Sequence, residues 1–406
     1  MTVRIGVVGA GQRASLARYA NSPESGARVV ACADPSPIGR QYAAELFGEI
    51  AVHENHRALL DAGLDAVMLF APDHLHAAHA LDFLREGVAV FVEKPLALSV
   101  EDCDAVLVAA RDTGAKLYVG HNLRHLPMLR TLRALIEDGA IGSVKSVWCR
   151  HFVGHGGDFY FRDWHADRRA TFGLLLQKGA HDLDVIHWLA GGASREVVAM
   201  GDLMVFGDPA RRRDAAEPFP ALMGDWYDPA QWPPTQLDRL NPVVDVEDIS
   251  MMISRLDNGV LASYQQCHFT PDYWRNYTVI GDVGRIENFG DAVGAGGASI
   301  KVWNRRRSGY REDADQVVAV TSSAGSHGGA DAALVAEFLR FISEGGRTDT
   351  SPIAAREAVA AGAAATQSLR SGSRPVSIAA PDAALVDYFA AGQPRGDHGQ
   401  PSTRSR

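Results

Sequence analysis

A chain of 406 residues, with 46% hydrophobic and 22% charged residues, has the composition of a globular protein and the length for two domains. Its formal net charge of -9 argues against nucleic acid or an anionic membrane as the main partner, since either would require a cationic surface. The 4 cysteines lie far apart without a CxxC pair, which indicates neither a disulfide framework nor a zinc ribbon.

The first predicted strand, residues 4–8, is followed at once by a glycine turn. The opening MTVRIGVVGAG leaves no room for the basic, apolar and cleavage regions of a signal peptide. No apolar stretch approaches the ~20 residues that a membrane helix requires. We therefore expect a cytoplasmic protein with a small-molecule substrate and with neither a nucleic-acid nor a membrane partner.

Strands and helices alternate through the first third of the chain. We predict strands at residues 4–8, 28–33, 66–70, 88–92 and 116–119, and helices at residues 12–20, 38–47, 74–85 and 99–113. Such alternation implies right-handed crossovers and a parallel sheet. Residues 1–122 are therefore predicted to form a Rossmann dinucleotide-binding domain, which places the protein in the α/β class.

The pattern changes after residue 122. We predict strands at residues 144–152, 196–205, 249–256, 260–268, 277–280 and 299–303, and helices at residues 126–138, 173–189, 331–343 and 352–369. Turns such as Asp257-Asn258-Gly259 indicate hairpins. Residues 123–380 are thus predicted to form an α+β domain for substrate binding and oligomerisation, with a large, mainly antiparallel open sheet.

Two stretches have no clear period. Residues 207–242 are longer than a normal connection, and a lid and an oligomer contact are both open interpretations. Residues 381–406 are predicted to be a C-terminal tail, partly disordered, because its last part is polar.

A glycine motif follows the first strand. IGVVGAGQRA contains GxGxxA with Gly9, Gly11 and Ala14, which suits a tight turn, close approach of a pyrophosphate, and packing of the next helix. Asp34 ends the second strand about 20 residues later, where a carboxylate accepts hydrogen bonds from a ribose and repels a 2'-phosphate. The pattern favours NAD over NADP, although a helix cap at Asp34 would also explain that residue.

Two further strands end in polar residues at the same edge of the predicted sheet. FVEKPLALSV places Lys94 at a strand's carboxyl end, where open α/β sheets bind ligands. APDHLHAAHA places Pro72 in a turn beside the expected cofactor cleft. We predict no metal there, because His74 and His76 point to different sides of a helix and no carboxylate or cysteine completes a ligand set.

Together these segments resemble the glucose-fructose oxidoreductase, inositol dehydrogenase and rhizopine-catabolism (Gfo/Idh/MocA) family. The resemblance is carried by GAGQRA, Asp34, APDHLH, EKP, VGHNLRHLP, QKGAHDLDVIHWL and DVEDISMMISRLDNGV, and it spans nearly the whole chain. It implies that Lys94 lies between nicotinamide and substrate and that His181 accepts a proton. Oxidation of a secondary alcohol requires such a base together with a cation that stabilises the alkoxide.

The expected site has two parts. We expect the following residues to hold the cofactor: Gly9, Gly11, Gln12, Arg13, Asp34, Pro72, His76, Glu93, Lys94 and Asn122. We expect the following residues to contact substrate: Lys94, Asn122, Arg162, Trp164, Lys178, His181 and Asp184.

One position departs from the family pattern. Many members carry a carboxylate four residues before the histidine, and this chain has Gln177. The amide could orient His181 but supplies no charge, and Lys178 and Asp184 are possible substitutes. The proton path therefore stays open at this point.

Polar-aromatic loops lie at strand ends of the second domain. GDFYFRDWHADRR and CHFTPDYWRNY contain the following residues of interest: Tyr160, Arg162, Trp164, His165, His268, Tyr273 and Trp274. Such groups suit a sugar ring, with apolar faces on aromatic rings and hydroxyls bonded to polar side chains. Packing of a lid or a subunit interface would explain them equally well.

We predict an NAD-dependent dehydrogenase that acts on a secondary hydroxyl of a sugar, sugar derivative or cyclitol. A redox-neutral NAD-dependent sugar enzyme, such as one that cleaves a glycoside, and a non-catalytic sugar- or NAD-responsive regulator are the alternatives. A homodimer or homotetramer is expected through the antiparallel sheet, as the resemblance implies.

Overall fold

The computed structural model of the protein describes residues 2–217, 230–291, 297–321 and 326–394. Within these ranges no helix combines the length and the apolar character that crossing a membrane requires. Two sheets, one of six strands and one of nine, organise the molecule.

The six-stranded sheet is parallel throughout, with the order β3-β2-β1-β4-β5-β6. Its strands are β1 (Val3–Val8), β2 (Ala27–Ala33), β3 (Ala51–His53), β4 (Ala66–Leu69), β5 (Ala89–Glu93) and β6 (Leu117–Gly120). Its helices are α1 (Pro37–Phe47), α2 (His76–Arg85) and α3 (Val100–Thr113), and a 3-10 helix, Gln12–Ala20, follows β1. The predicted Rossmann topology is confirmed. Because the strand order reverses beside β1, a crevice opens at the carboxyl ends of β1 and β4.

The nine-stranded sheet has the order β14-β13-β12-β11-β7-β10-β9-β8-β15. The strands are β7 (Val144–Phe152), β8 (Ser194–Asp202), β9 (Ile249–Leu256), β10 (Leu261–Cys267), β11 (Trp274–Gly281), β12 (Arg285–Phe289), β13 (Ala298–Trp303), β14 (Gln316–Val320) and β15 (Val376–Ser377). Between β6 and β8 lie α4 (Pro127–Glu137), α5 (Gly156–Tyr160), α6 (Arg168–Thr171), α7 (Leu174–Gln177) and α8 (Gly179–Ala190). The last helices are α9 (Ala330–Glu344), α10 (Pro352–Arg370) and α11 (Ala383–Ala390).

Among the described strands of this sheet, only β7 and β10 pair in parallel, which confirms the predicted mainly antiparallel architecture. β9 and β10 form the expected hairpin, with Gly259 at φ +84° in the turn. Strands β12, β14 and β15 were not predicted. They have 5, 5 and 2 residues, so an apolar period has little length in which to appear.

One face of the nine-stranded sheet is covered and the other is open. The helices α8 and α10 pack on the covered face, and every second residue of β9 is buried there. We call the other side the open face. Large apolar side chains are substantially exposed on it: Trp148 50%, Met200 66%, Met251 49%, Ile253 62% and Leu261 50%.

The C-terminal part of the chain returns to the parallel sheet. Phe338 of α9 packs against Phe91 and Tyr118, with ring centroids 5.5 and 5.6 Å apart. The side chain of Gln393 bonds the backbone N–H and C=O of Leu117 at 2.8 and 2.7 Å. The first part of the predicted tail is therefore ordered, and residues 395–406 lie outside the described ranges.

The segment predicted as a lid or oligomer contact is described except for residues 218–229. Leu237 and Leu240 are buried with Phe161 and Phe206 in a small cluster. Arg162 donates to the side chain of Gln231 at 2.9 Å and to the backbone oxygen of Asp238 at 3.2 Å. The described parts of this segment thus lie against the polar-aromatic loop that contains Tyr160.

Candidate cofactor and substrate site

The glycine turn after β1 has the geometry that a dinucleotide needs. Gly9 has φ +87°, and a Cβ there would lie 2.8 Å from backbone atoms of Phe70 and Ala71, so only glycine fits. Gly11 begins the 3-10 helix without a side-chain cap, and a Cβ there would meet nothing within 4 Å. Free backbone N–H groups at a helix start bind phosphate.

Asp34 lies directly after β2 and is fixed to the glycine turn. Its Oδ2 accepts from the N–H of Ala10 at 2.7 Å, and its Oδ1 accepts from the N–H of Ser36 at 2.8 Å. Each carboxylate oxygen keeps capacity for another donor, such as a ribose hydroxyl. Arg40 instead bonds backbone oxygens of Asp34 and Pro35, so it is held against the chain.

An ion-pair cluster adjoins this crevice. Arg13 lies 2.6 Å from Glu93 and 3.0 Å from Asp331, and Asn122 donates to Asp331 at 2.9 Å. Burial would raise the pKa of Asp331, but the hydrogen bond from His327 and the charge of Arg13 hold it well below its ordinary value. Sequence reasoning missed Asp331, because it lies 318 residues from Arg13 in the chain.

The residues present fit NAD. The uncapped turn, the fixed Asp34 carboxylate and the buried Oδ1 of Asn122, which has no hydrogen-bond partner among the described residues, all provide complementary groups. Gln12 is exposed at the start of the 3-10 helix. These positions would hold the cofactor through its phosphates, its ribose and its amide.

His76 joins two loops at the crevice. It is buried, with Nδ1 2.6 Å from the oxygen of Pro95 and Nε2 2.8 Å from the oxygen of Ala71. Pro72 begins the short turn between β4 and α2. His76 therefore holds the loop after β5 against the loop after β4. Within the described ranges, no three His, Cys, Asp or Glu side chains are grouped to hold a metal ion.

Lys94 follows β5 and reaches the second domain. Its Nζ donates to the backbone oxygen of Gln177 at 3.1 Å. Burial lowers the pKa of Lys94, while the negative charges of Asp73 and Glu93 act in the opposite direction. The structure thus brings together a strand end of the parallel sheet and the helical segment that precedes His181.

Asp73, which sequence reasoning missed, supplies a carboxyl group beside Lys94 and Gln177. It is 4% exposed, and its Oδ2 has no hydrogen-bond partner among the described residues. Burial raises the pKa of Asp73 to about 7, against the opposing effects of the Lys94 charge and the Gln177 amide. Its place after β4, at the ligand-binding edge, was the sequence signal that could have identified it.

His181 lies in the first turn of α8 and is half-buried. Burial, reinforced by the charges of Lys94 and Lys178, holds the pKa of His181 well below its ordinary value. The imidazole is therefore neutral at pH 7 and able to accept a proton. Its Nδ1 has no hydrogen-bond partner in the described part of the chain.

Asp182, the residue after His181 in α8, is the centre of a buried polar network. It is fully buried, 2.9 Å from Nδ1 of His151, 2.9 Å from Nε of Arg275, and hydrogen-bonded by the hydroxyls of Tyr264 and Tyr277. Burial alone would raise the pKa of Asp182, but the charge of Arg275 and the contact with His151 hold it well below its ordinary value. This network ties α8 to β7, β10 and β11.

Asp184, expected at the substrate, is placed elsewhere. Both of its oxygens accept from Arg124, at 2.7 and 2.8 Å, in the protein interior. The pair connects α8 to the segment after β6. Asp184 is thus a partner of Arg124 rather than a group that faces the cleft.

Lys178 lies on the substrate side with aromatic neighbours. Its Nζ lies 5.5 Å from the ring centre of Tyr160. Burial, together with the charges of Arg275 and Lys94, lowers the pKa of Lys178 well below its ordinary value. Tyr273 stacks on His155 with ring centroids 5.6 Å apart. Burial, with contributions from the charges of His151 and Lys178, holds the pKa of His268 in the second loop well below its ordinary value, so Lys178 lies near both polar-aromatic loops.

Two other expected substrate residues, Trp164 and Arg162, contact neighbouring groups of the second domain. Trp164 stacks on His165 with ring centroids 3.8 Å apart, and Arg162 bonds the segment after β8. Trp274 packs on Phe152 and under Arg150. His165 also contacts Tyr160 with ring centroids 5.1 Å apart, so Trp164 adjoins Tyr160 through His165.

Comparison with known proteins gave matches along most of the chain. The sequence profile of the "Oxidoreductase family, NAD-binding Rossmann fold" matches residues 3–121, and that of the "Oxidoreductase family, C-terminal alpha/beta domain" matches residues 133–378.

Curated relatives match part of the chain. An inositol 2-dehydrogenase of Rhizobium meliloti (strain 1021) is 33% identical over 208 residues, which cover 50% of this chain and 60% of the relative. A 1-carboxy-3-chloro-3,4-dihydroxycyclohexa-1,5-diene dehydrogenase of Comamonas testosteroni is 32% identical over 219 residues, covering 53% of each chain. The chain thus spans about half the length of the curated relatives that it matches.

Solved structures share the fold over nearly the whole chain. A levoglucosan dehydrogenase in complex with NADH and levoglucosan superimposes with a TM-score of 0.72 at 19% identity, covering 93% of this chain and 100% of the other. An oxidoreductase of Agrobacterium radiobacter in complex with NAD+, L-tartaric acid and magnesium gives 0.70 at 18% identity, covering 93% and 98%.

Proposed function

Since the chain belongs to the Gfo/Idh/MocA oxidoreductase family and carries its NAD-binding Rossmann domain, we propose that it oxidises a secondary alcohol of a sugar, sugar derivative or cyclitol. The observation that carries this proposal is the meeting of Lys94 and His181. They come from different domains, Lys94 donates to the backbone oxygen of Gln177 four residues before His181, and the two side chains lie close enough that the charge of Lys94 lowers the pKa of His181. The names of the inositol and levoglucosan dehydrogenases among its relatives support the substrate class.

His181 and Lys94 act on the same hydroxyl group of the substrate in different ways. NAD, when bound, supplies the acceptor for the hydride. His181, neutral at pH 7, takes the hydroxyl proton on its imidazole. The Lys94 ammonium lies where it can stabilise negative charge on the same oxygen. The carboxyl group of Asp73 lies near Lys94. When Asp73 is ionised, its negative charge raises the pKa of Lys94 and so favours the ammonium form of the lysine.

We expect reduced nicotinamide to appear when the protein is mixed with NAD and one class of sugar or cyclitol. The measurement is absorbance of the reduced cofactor across sugars, glycosides, sugar acids and inositols, with NADP in parallel.

Replacing His181 with asparagine should lower kcat about 10²- to 10⁴-fold, because the proton acceptor is lost. Exposed His74→Asn is the matched control and should leave kcat unchanged.

Three outcomes separate the alternatives. Full turnover in His181→Asn would contradict the base role. Product formation without reduced cofactor would favour a redox-neutral sugar enzyme. Binding of NAD without any turnover across the panel would favour a regulator.

We further propose that the open face pairs two copies of the chain. Ile253, Met251 and Trp148 expose apolar surface on the strands of this face, a property that marks protein interfaces. The double substitution Met251→Lys and Ile253→Lys should convert an oligomer to a monomer in light scattering, because four buried ammoniums per pair would be uncompensated. Exposed Tyr310→Lys is the control. A monomeric wild type would contradict this proposal.

A further inference from the structure

The substrate side of the cleft carries a surplus of positive charge. Lys94 and Lys178 are both half-buried, and they lie close enough that the charge of Lys94 lowers the pKa of Lys178. Lys94 donates to a backbone oxygen, and Lys178 contacts the ring of Tyr160. Among the described residues, no side chain forms an ion pair or a hydrogen bond with the Lys178 ammonium. This surplus stands in a chain whose net charge is -9.

Two nearby carboxylates, Asp182 and Glu93, already form ion pairs with arginines. Asp182 is shared among Arg275, His151 and two tyrosines. Glu93 is paired with Arg13 on the cofactor side. Neither carboxylate therefore forms an ion pair with a lysine of the cleft.

The remaining polar groups do not balance the second lysine. Asp73 lies on the Lys94 side, and burial raises its pKa to about 7. Gln177 provides no charge where the family resemblance implies a carboxylate. In the described part of the cleft, Lys178 thus has no counter-charge in contact with it.

A half-buried ammonium without a counter-charge is unfavourable, and an anion that arrives with the substrate would reduce that penalty. We propose that the substrate bears a carboxylate, as in a sugar acid or a carboxylated cyclitol, and that Lys178 binds it. This proposal rests on the proposed function and narrows its substrate class.

The surroundings favour a carboxylate over a phosphate. Phosphate is usually held by a bidentate arginine or by free helix amides. Arg275 is occupied by Asp182, and the amide of Lys178 is bonded to the oxygen of Leu174 at 3.0 Å. A single ammonium 5.5 Å from the ring centre of Tyr160 suits one negative charge on a sugar-sized ring.

The test compares acids with their neutral parents. Glucuronate and galacturonate are assayed against glucose and galactose, and gluconate against glucitol, with NAD and wild-type protein. We expect kcat/KM to favour the acid by about 30-fold, the worth of one charged hydrogen bond. In Lys178→Met this ratio should fall to near one, mainly through a higher KM for the acid. The exposed Lys145→Met is the matched control and should keep the ratio.

A binding measurement separates this inference from the proposed function. Calorimetric titration of the NADH-loaded protein with glucuronate or glucose reports recognition without turnover. Salt-sensitive binding of the acid that is lost in Lys178→Met supports the inference, even if no alcohol is oxidised and the proposed function fails. Oxidation of neutral sugars with rejection of the acids overturns the inference and leaves the proposed function standing. A preference for glucose 6-phosphate over glucuronate, or an unchanged ratio in Lys178→Met, also overturns it.

Discussion

Replacing Lys94 with methionine should lower kcat by about 10³-fold, the size of effect seen when one donor to a developing oxyanion is removed. Methionine keeps an unbranched side chain of similar shape without the ammonium, so the loss reports the charge more than the packing. Asp73 would then lie in the site without its cationic neighbour, and its pKa, already raised by burial, would rise further. Steady-state kinetics with the best substrate gives kcat, and NAD affinity should change far less.

Lys145→Met is a suitable control for this variant, because Lys145 is exposed on β7 and its loss should not alter kcat. Lys94→Arg gives a second comparison, since it keeps the charge but changes the shape of the donor. A Lys94→Met protein that turns over within tenfold of wild type would show that the lysine does not act on the reacting oxygen.

Replacing Asp182 with asparagine should reduce the free energy of unfolding by about 3–5 kcal/mol, because it leaves Arg275 buried without a counter-charge. Arg275 is 4% exposed, and Asp182 is fully buried. Chemical denaturation monitored by circular dichroism measures the difference. The pKa of Asp182 is lower in the folded than in the unfolded chain, so its contribution is present above the ordinary carboxylate pKa and is lost as the pH falls. The difference in the free energy of unfolding between the variant and the wild type should therefore become smaller under acid conditions.

Two further variants sharpen this measurement. Asp112→Asn removes an exposed acid and should alter stability by less than about 0.5 kcal/mol. The double variant Asp182→Leu and Arg275→Met removes both charges and should recover part of the loss. A single Asp182→Asn variant as stable as wild type would show that the network carries little of the fold's stability.

Much of the fold could be predicted from the sequence. The two-residue period of strands and the 3.6-residue period of helices are both strong where the elements pack into the buried parts of the sheets. β7 and β9 were predicted to the residue, since alternating apolar side chains mark strands with one covered face. β3 has three residues, too few for a period to appear. The predicted helix at residues 173–189 is divided into α7 and α8 at Lys178, a boundary that apolar spacing does not reveal.

The site was less accessible to sequence reasoning. Lys94 was predicted for the site because it follows a buried strand at the ligand-binding edge, and His181 because of its motif, and both roles stay predictions. Asp331 and Arg275 were missed, since each reaches the site only through contacts between distant parts of the chain. An arginine within a strand such as β11 has the pattern of a solvent-facing residue, and only the fold shows its burial beside Asp182.

The return of α9 to the parallel sheet has a consequence for how the protein is made. Phe338 and its neighbours complete a core that begins with Ile5 and Val7. A ribosome releases the six strands long before it synthesises that helix, so the nascent sheet waits with apolar side chains uncovered. Chaperone capture during translation should therefore be strongest between completion of β6 and emergence of α9, and chains that terminate early should be degraded rather than accumulate as a free nucleotide-binding module.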